Sequence, residues 1–304
     1  MKALKVILLI VLGILLSLSL LVFGLALTLD RSLLNPDFVT EHVNQLDLAD
    51  MADEIVRDQI PAEAADFMGT ALDDVLAETI TDIEPWLHER LEDIITVFYD
   101  YMEGRSDDLR LNISLETMKT SFRANLLTAI IASPPPELEG LTSAEIEAEF
   151  NVYYSQIDEE IPSIIELDET LFDAEVKAQL DSVRLYVIHF NKTFFALIGF
   201  SLLLIVLTVL TYLSVRGSTR QLGIIFLVIG AISLAGAFIA RSVINGLLSG
   251  GDIPATLQSW APAVVTDTLM PLGIYAIGLL VAGVVLTIIS FVAKRGGSDY
   301  DFYY

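Results

Sequence analysis

Cysteine is absent from this 304-residue chain, which excludes disulfides, thiolate metal sites and a cysteine nucleophile. The compartment stays open, because a sufficiently large extracytoplasmic domain builds its core without disulfides. Histidine is scarce, with only His42, His88 and His189, all remote from one another in sequence. His88-Glu89 lacks the second histidine of an H-E-x-x-H zinc helix, so no metal site is expected. Missing too are G-x-S-x-G, Walker A and G-x-G-x-x-G motifs and an EF-hand loop. No catalytic, cofactor-binding or metal-ligating residue is therefore assigned. Basic residues number 17 against 41 acidic ones. That excess repels nucleic acid and anionic lipid, and a nucleic-acid partner is disfavoured.

What is present is apolar sequence in long runs, with 54% hydrophobic residues and a mean hydropathy of +0.61. Both lie outside the ordinary soluble range. Charge is divided unevenly. Asp30 to Lys192 holds 37 of the acidic and 10 of the basic residues, a net of −27, and the remainder is net +3. This division describes a membrane protein with one large aqueous domain. Val6 to Leu29 is apolar without interruption behind Lys2 and Lys5, and about 20 residues suffice to cross a bilayer. A cleaved signal peptide has a shorter apolar region, so residues 1–29 read as an uncleaved anchor.

Residues 30–185 read as an acidic, all-α extracytoplasmic domain. Asn35, Pro36 and Asp37 suit the N-cap and first turn of a helix. Apolar residues then recur at three- and four-residue steps, from Met68 to Ile83, Leu87 to Tyr101 and Leu115 to Ile130. Pro85 predicts a fresh start or a kink, and Ser133-Pro134-Pro135-Pro136 predicts a stop. Thr142 with Glu145 forms a capping box. The longest alternating run is Leu109 to Ile113, so about five or six helices and no sheet are expected. Phe172, Val176, Leu180, Val183 and Val187 keep helical phase, with no Gly or Pro before the apolar run at Phe194. One helix is expected to continue from the domain into the membrane.

Residues 186–295 form a three-helix transmembrane region, with spans at about 190–215, 222–247 and 266–293, and residues 296–304 a short cytoplasmic tail. A loop from Ser249 to Val265 carries Pro254, Pro262 and an interfacial Trp260. Lys2, Lys5, Arg216, Arg220, Lys294 and Arg295 flank the spans on one side, while that loop has no Lys or Arg. The positive-inside rule puts both termini in the cytoplasm. The expected class is thus an integral membrane protein with four transmembrane helices and an acidic helical extracytoplasmic domain.

The paired carboxylates Asp53-Glu54, Asp73-Asp74, Glu92-Asp93, Asp107-Asp108 and Asp158-Glu159-Glu160 read as solvated helix faces. A glycosidase would need two such groups in one cleft. Arg241 is the charge placed well inside an apolar segment, and intramembrane charges carry a functional hypothesis. It is expected to reach the headgroups or to pair with Asp252 or Asp267, three residues that form a candidate interfacial charge group. Gly223, Gly230, Gly236, Gly246, Gly273, Gly278 and Gly283 give the third and fourth spans small faces for close packing and, less directly, self-association.

Leu34-Asn35-Pro36-Asp37-Phe38 lies just outside the first span, and Arg216 to Gly230 reads as a basic turn into a glycine-containing span. In these features and its layout the chain resembles a diffuse group of uncharacterised bacterial four-span membrane proteins with a helical extracytoplasmic domain between spans 1 and 2. The resemblance implies that architecture and no activity, so no functional residue is carried over. The functional expectation is a non-enzymatic sensing, scaffolding or accessory subunit of the cell envelope. Its partners are the lipid bilayer and a protein bound by the extracytoplasmic domain. A transporter or export component is the alternative, with an envelope hydrolase behind it. A topology reporter inserted near Ser106 should give an extracytoplasmic signal; a cytoplasmic one would overturn the orientation.

Overall fold

A backbone crossing hydrocarbon must satisfy its own hydrogen bonds, and a helix does so within one segment. The computed structural model describes residues 2–49, 70–135, 138–168, 173–212, 214–248 and 255–293. Among them the elements run α1 (Lys2–Arg31), α2 (Pro36–Val43), α3 (Thr70–Met102), β1 (Leu111–Ser114) and α4 (Glu116–Ala132). They continue with α5 (Ser143–Glu160), β2 (Ile164–Leu167), α6 (Ala174–Tyr212), α7 (Val215–Leu248) and α8 (Ala255–Val292). Among the described residues four stretches are long and apolar enough to cross a membrane: Leu4–Arg31, Ala174–Tyr212, Val215–Leu248 and Trp260–Val292. They mark a multi-pass membrane protein. The expected passage of one helix out of the acidic sequence into an apolar span is met by α6, which is a single helix.

The chain divides into two compact units, Met1–Val39 with Tyr186–Tyr304, and Thr40–Leu185. In the first, Leu12, Leu16 and Leu20 of α1 meet Leu204, Leu222, Ile225, Ile229 and Leu279 in a buried core. The outward faces are apolar as well, with Ile14, Phe238 and Ile274 among the exposed side chains. Lipid tails are as apolar as leucine, so close packing and polar contacts must hold such helices together. Ser19 and Ser201 share a buried hydrogen bond of 2.7 Å. Gln221 donates to the Leu9 carbonyl at 3.0 Å, and the Tyr275 hydroxyl to that of Leu20 at 2.8 Å. Phe190, Phe194, Phe23 and Tyr275 form a chain of ring contacts with centroids 5.5 to 5.8 Å apart, tying α6 to α1 and α1 to α8.

The α7–α8 seam depends on backbone approach. A Cβ on Gly223 would lie 3.1 Å from the Gly283 carbonyl oxygen, and one on Gly283 would lie 2.9 Å from that of Gly223. A Cβ on Gly230 meets the Ala276 carbonyl oxygen at 2.9 Å. Gly236, Gly246, Gly273 and Gly278 have nothing within 4 Å, so close packing uses three of the seven glycines.

The second unit buries Val75, Leu76, Ile80, Ile83, Ile95, Tyr99 and Met102 along α3. Ile146, Phe150 and Tyr154 of α5 are buried too. Helix α4 packs against α3 and α5. Asn35 accepts from the Asp37 amide at 3.1 Å, as expected of an N-cap. Thr142 and Glu145 make the reciprocal capping contacts, at 2.8 Å from the Thr142 amide and 3.4 Å from the Glu145 amide. The Thr142 amide and then its hydroxyl hold the Glu145 carboxyl below its ordinary pKa. The box is therefore complete above that ordinary value and is lost as pH falls through the folded one.

Three local expectations are corrected. Helix α3 runs through Pro85 without a new start, because its buried stripe continues from Ile80 and Ile83 to Ile95 and Tyr99. Packing on both sides outweighs the one hydrogen bond that proline removes. Helix α8 begins at Ala255, so Trp260 and Pro262 lie inside it rather than in a loop. The chain is mainly helical as expected, but the alternating stretch near Leu109 contributes β1, which pairs antiparallel with β2 from Leu111↔Leu167 to Ser114↔Ile164. Four residues per strand sit at the lower limit of what alternation signals, and Ile164–Leu167 does not alternate.

The seam makes a paired test. Gly283→Val should destabilise the intact protein in detergent by about 1–3 kcal/mol through overpacking, while Gly278→Val should change thermal unfolding little.

Candidate functional site

Only ten cations accompany 37 carboxylates between Asp30 and Lys192, so a cation there has many possible anions to choose from. Arg184, one residue before the end of the acidic unit, instead takes backbone acceptors from a distant part of the chain. Its Nε donates to the Tyr101 carbonyl at 2.8 Å and its Nη2 to the Ser106 carbonyl at 2.8 Å. Nη2 also reaches the Asp107 carboxylate at 3.1 Å. The guanidinium carbon sits 4.3 Å from the centroid of the Tyr101 ring. The Tyr101 hydroxyl in turn donates to Asp181 at 2.5 Å, one turn back along α6. Tyr101 is 2% exposed, so this cluster closes one edge of the unit.

Local sequence prepares the acceptors. Helix α3 ends with Gly104 at φ 74°, a left-handed turn that glycine takes without a Cβ penalty. The Arg105 amide bonds the Asp100 carbonyl at 2.8 Å, and the Arg105 side chain bonds the Asp100 carboxylate at 2.6 Å and also reaches Glu103. The turn carries Ser106 and Asp107 back over α6. Hydrogen bonds to a charged group contribute about 1.5–3 kcal/mol each, and a stacked tyrosine adds roughly 0.5–2 kcal/mol.

Lys119 is a second cation on a buried helix face, 6% exposed. Its Nζ donates to the carbonyls of Asp158 at 3.0 Å and Ile161 at 3.2 Å, and pairs with the Asp158 carboxylate at 2.9 Å. It thereby satisfies carbonyls at the end of α5 that the helix leaves open. The Tyr154 hydroxyl closes the arrangement by donating to the Lys119 carbonyl at 3.0 Å. The bond to Asp158 raises the Lys119 pKa above 10.5, against the opposing effect of burial. Its stabilising contribution is complete below 10.5 and is lost as pH climbs through the folded value.

The carboxylate pairs are drawn into separate local contacts. Glu92 accepts from Asn44 at 2.9 Å, and Asp93 pairs with Arg90 at 2.7 Å. Asp107 meets Arg184, and Asp158 meets Lys119. Asp53-Glu54 lies outside the described residues, and the side chains of Asp73-Asp74 are not described. His42 is buried on α2, His88 of α3 faces Asn44 at 3.2 Å, and His189 lies exposed on α6. Among the described residues no group of three or more His, Asp or Glu is placed to hold a metal ion.

Of the expected interfacial charges, Arg241 is exposed on α7 and Asp267 is half-buried on α8. Asp252 lies outside the described residues, as do Lys294, Arg295 and the 296–304 tail. Among the described residues Arg241 and Asp267 are not paired with each other, and Asp267 has a partner of its own. The Arg184 cluster was missed in sequence, although a signal exists: Arg184 follows Leu180 by four residues and precedes Val187 by three, in phase with the apolar stripe. Lys119 stands in the same relation to Leu115 and Phe122. The stripe itself is only partly used, since Leu180 and Val187 are half-buried while Val176 and Val183 are exposed.

Comparison with protein-family models, curated proteins and solved structures gave no match to this chain. Arg184→Ala should cost about 2–3 kcal/mol and Tyr101→Phe about 1 kcal/mol. Hydrogen exchange of the amides at residues 103–108 in the intact protein should quicken in both, and the double variant should fall short of the sum.

Proposed function

We propose that this chain is a non-enzymatic cell-envelope protein whose acidic domain, on the extracytoplasmic side, binds a partner or ligand. Helix α6 conveys the bound state to the membrane bundle. The observation that carries the proposal is the construction of α6. One unbroken helix, Ala174–Tyr212, holds the Arg184 cluster in its acidic part. Ten residues later the same helix carries Phe194, which stacks on Phe23 at 5.6 Å within the membrane unit. A helix without a break passes rotation or axial load along its length, because each turn is bonded to the next.

A partner-binding role draws support from the surface of the acidic unit. Val152, Tyr153, Ile164, Val176 and Val183 are exposed large apolar side chains on a sequence otherwise rich in charge. Such side chains on a polar domain suit contact with a protein partner. Both termini would be cytoplasmic, which follows from the placement of Lys and Arg around the spans. The third and fourth spans, with Gly236, Gly246, Gly273 and Gly278 unused in packing, also suit self-association.

Coupling along α6 can be read without knowing the partner. Arg184→Ala in the intact protein should alter hydrogen exchange at residues 190–201 as well as around Ser106. Inserting Gly-Gly after Ile188 should abolish the distant change and keep the local one. An Arg184→Ala response confined to the acidic unit would sink the coupling mechanism.

A further inference from the structure

Along the α7–α8 seam Gly223 approaches Gly283 and Gly230 approaches Ala276. Leu234, Ala237 and Arg241 of α7 line one opening together with Gly273, Leu269 and Thr266 of α8. At Gly223 and Gly230 the two backbones touch. At Gly273, which continues the seam, a Cβ would find nothing within 4 Å. The seam opens there into a groove of about 500 Å³. Leu234, Phe238, Leu269 and Ile277 form its walls, and Arg241 with Thr266 supplies its polar members.

Among the described residues Arg241 is the one ionisable side chain lining the groove, and Asp267, next to Thr266 in the chain, is not among its lining residues. Among the described residues no acceptor lies within hydrogen-bonding distance of the guanidinium. Arg241 stands seven residues before the end of α7, so its Cα is about 10 Å from that end along the axis. A long arginine stem covers such a depth and brings its head to the headgroup layer. Apolar walls that take a hydrocarbon chain, with a cation at the polar end, complement one molecule in a bilayer.

We infer that this groove is a binding site for an anionic phospholipid, its acyl chain lying between α7 and α8 and its phosphate on Arg241. The acidic excess of the whole chain does not oppose this. That excess lies between Asp30 and Lys192, while the rest is net +3.

Native mass spectrometry of the intact protein in mild detergent tests the site, with phosphatidylglycerol and phosphatidylcholine of identical chains as probes. The wild type should retain phosphatidylglycerol about five-fold better, the advantage one arginine provides near a membrane surface. Arg241→Gln should remove the preference and Arg241→Lys should keep most of it. Gly273→Leu, which fills the groove, should lower retention of both lipids, and glycerol phosphate without chains should not compete. Thermal unfolding and helix content matching the wild type would establish that the variants fold. Equal retention of the two headgroups, a preference that survives Arg241→Gln, or retention untouched by Gly273→Leu would each overturn the site. Competition by glycerol phosphate would reduce it to an anion contact, and a dimer lost in Gly273→Leu without change in lipid would assign the groove to a second copy. Both outcomes refute the lipid site.

Discussion

A guanidinium partly withdrawn from water needs acceptors for its donors, and the edge of the acidic unit is arranged around that requirement at Arg184. An unpaired buried charge costs several kcal/mol, far more than any one of the contacts it replaces. The Tyr101 and Ser106 carbonyls, the Asp107 carboxylate and the Tyr101 ring all converge on one side chain. A shift of α6 against α3 that loses one acceptor strains the others, so these contacts form or fail together. The end of α3, the turn at Gly104 and the first part of α6 are fixed in one step. Lys119 does the same at the end of α5, on a smaller scale. In a block of net charge −27, cations are few and general repulsion favours expansion. Placing two of the ten where helices meet offsets that repulsion locally.

How far the structure can be read from sequence depends on the range of each signal. Caps and stops are local. Asn35 with Pro36, the Thr142–Glu145 box and the stop at Ser133 were legible because partners lie within four residues of one another. Apolar spans were legible because length and composition alone define them. The Arg184 cluster joins residues 77 to 83 positions apart, and no local pattern connects Ser106 to a helix that begins at Ala174. Its one trace in sequence is a cation in an apolar phase. The ribbon has a similar cause, since Ile164 to Leu167 shows no alternation and becomes a strand only by pairing with Leu111 to Ser114. At Pro85 the local signal for a fresh start is overruled by packing that runs the length of α3.

In the membrane unit the balance of forces changes with the solvent. Helices there gain nothing from hiding leucine from lipid, so contact quality decides which pairs hold. The α7–α8 pair has backbone contact at three glycines. Helix α6 relies on fewer and more specific contacts, the Ser19–Ser201 hydrogen bond and the Phe194–Phe23 stack. A helix held at a few points moves more readily than one packed along its length. The helix that runs from the acidic unit is thus the one least committed to the bundle.

The two arginines show how one side chain acquires different roles from its surroundings. Arg184 lies in the acidic unit and finds its acceptors within the protein, at the cost of bringing three segments together. Arg241 lies in an apolar helix beside a groove, and the described residues offer it no acceptor. In water an unpartnered guanidinium is solvated and unremarked, but in hydrocarbon its charge must be met or carried to the surface. Its distance from the end of α7 is one an arginine stem can span, and the walls beneath it are apolar. The acceptor that completes Arg241 therefore belongs to the membrane, as the acceptors that complete Arg184 belong to the fold.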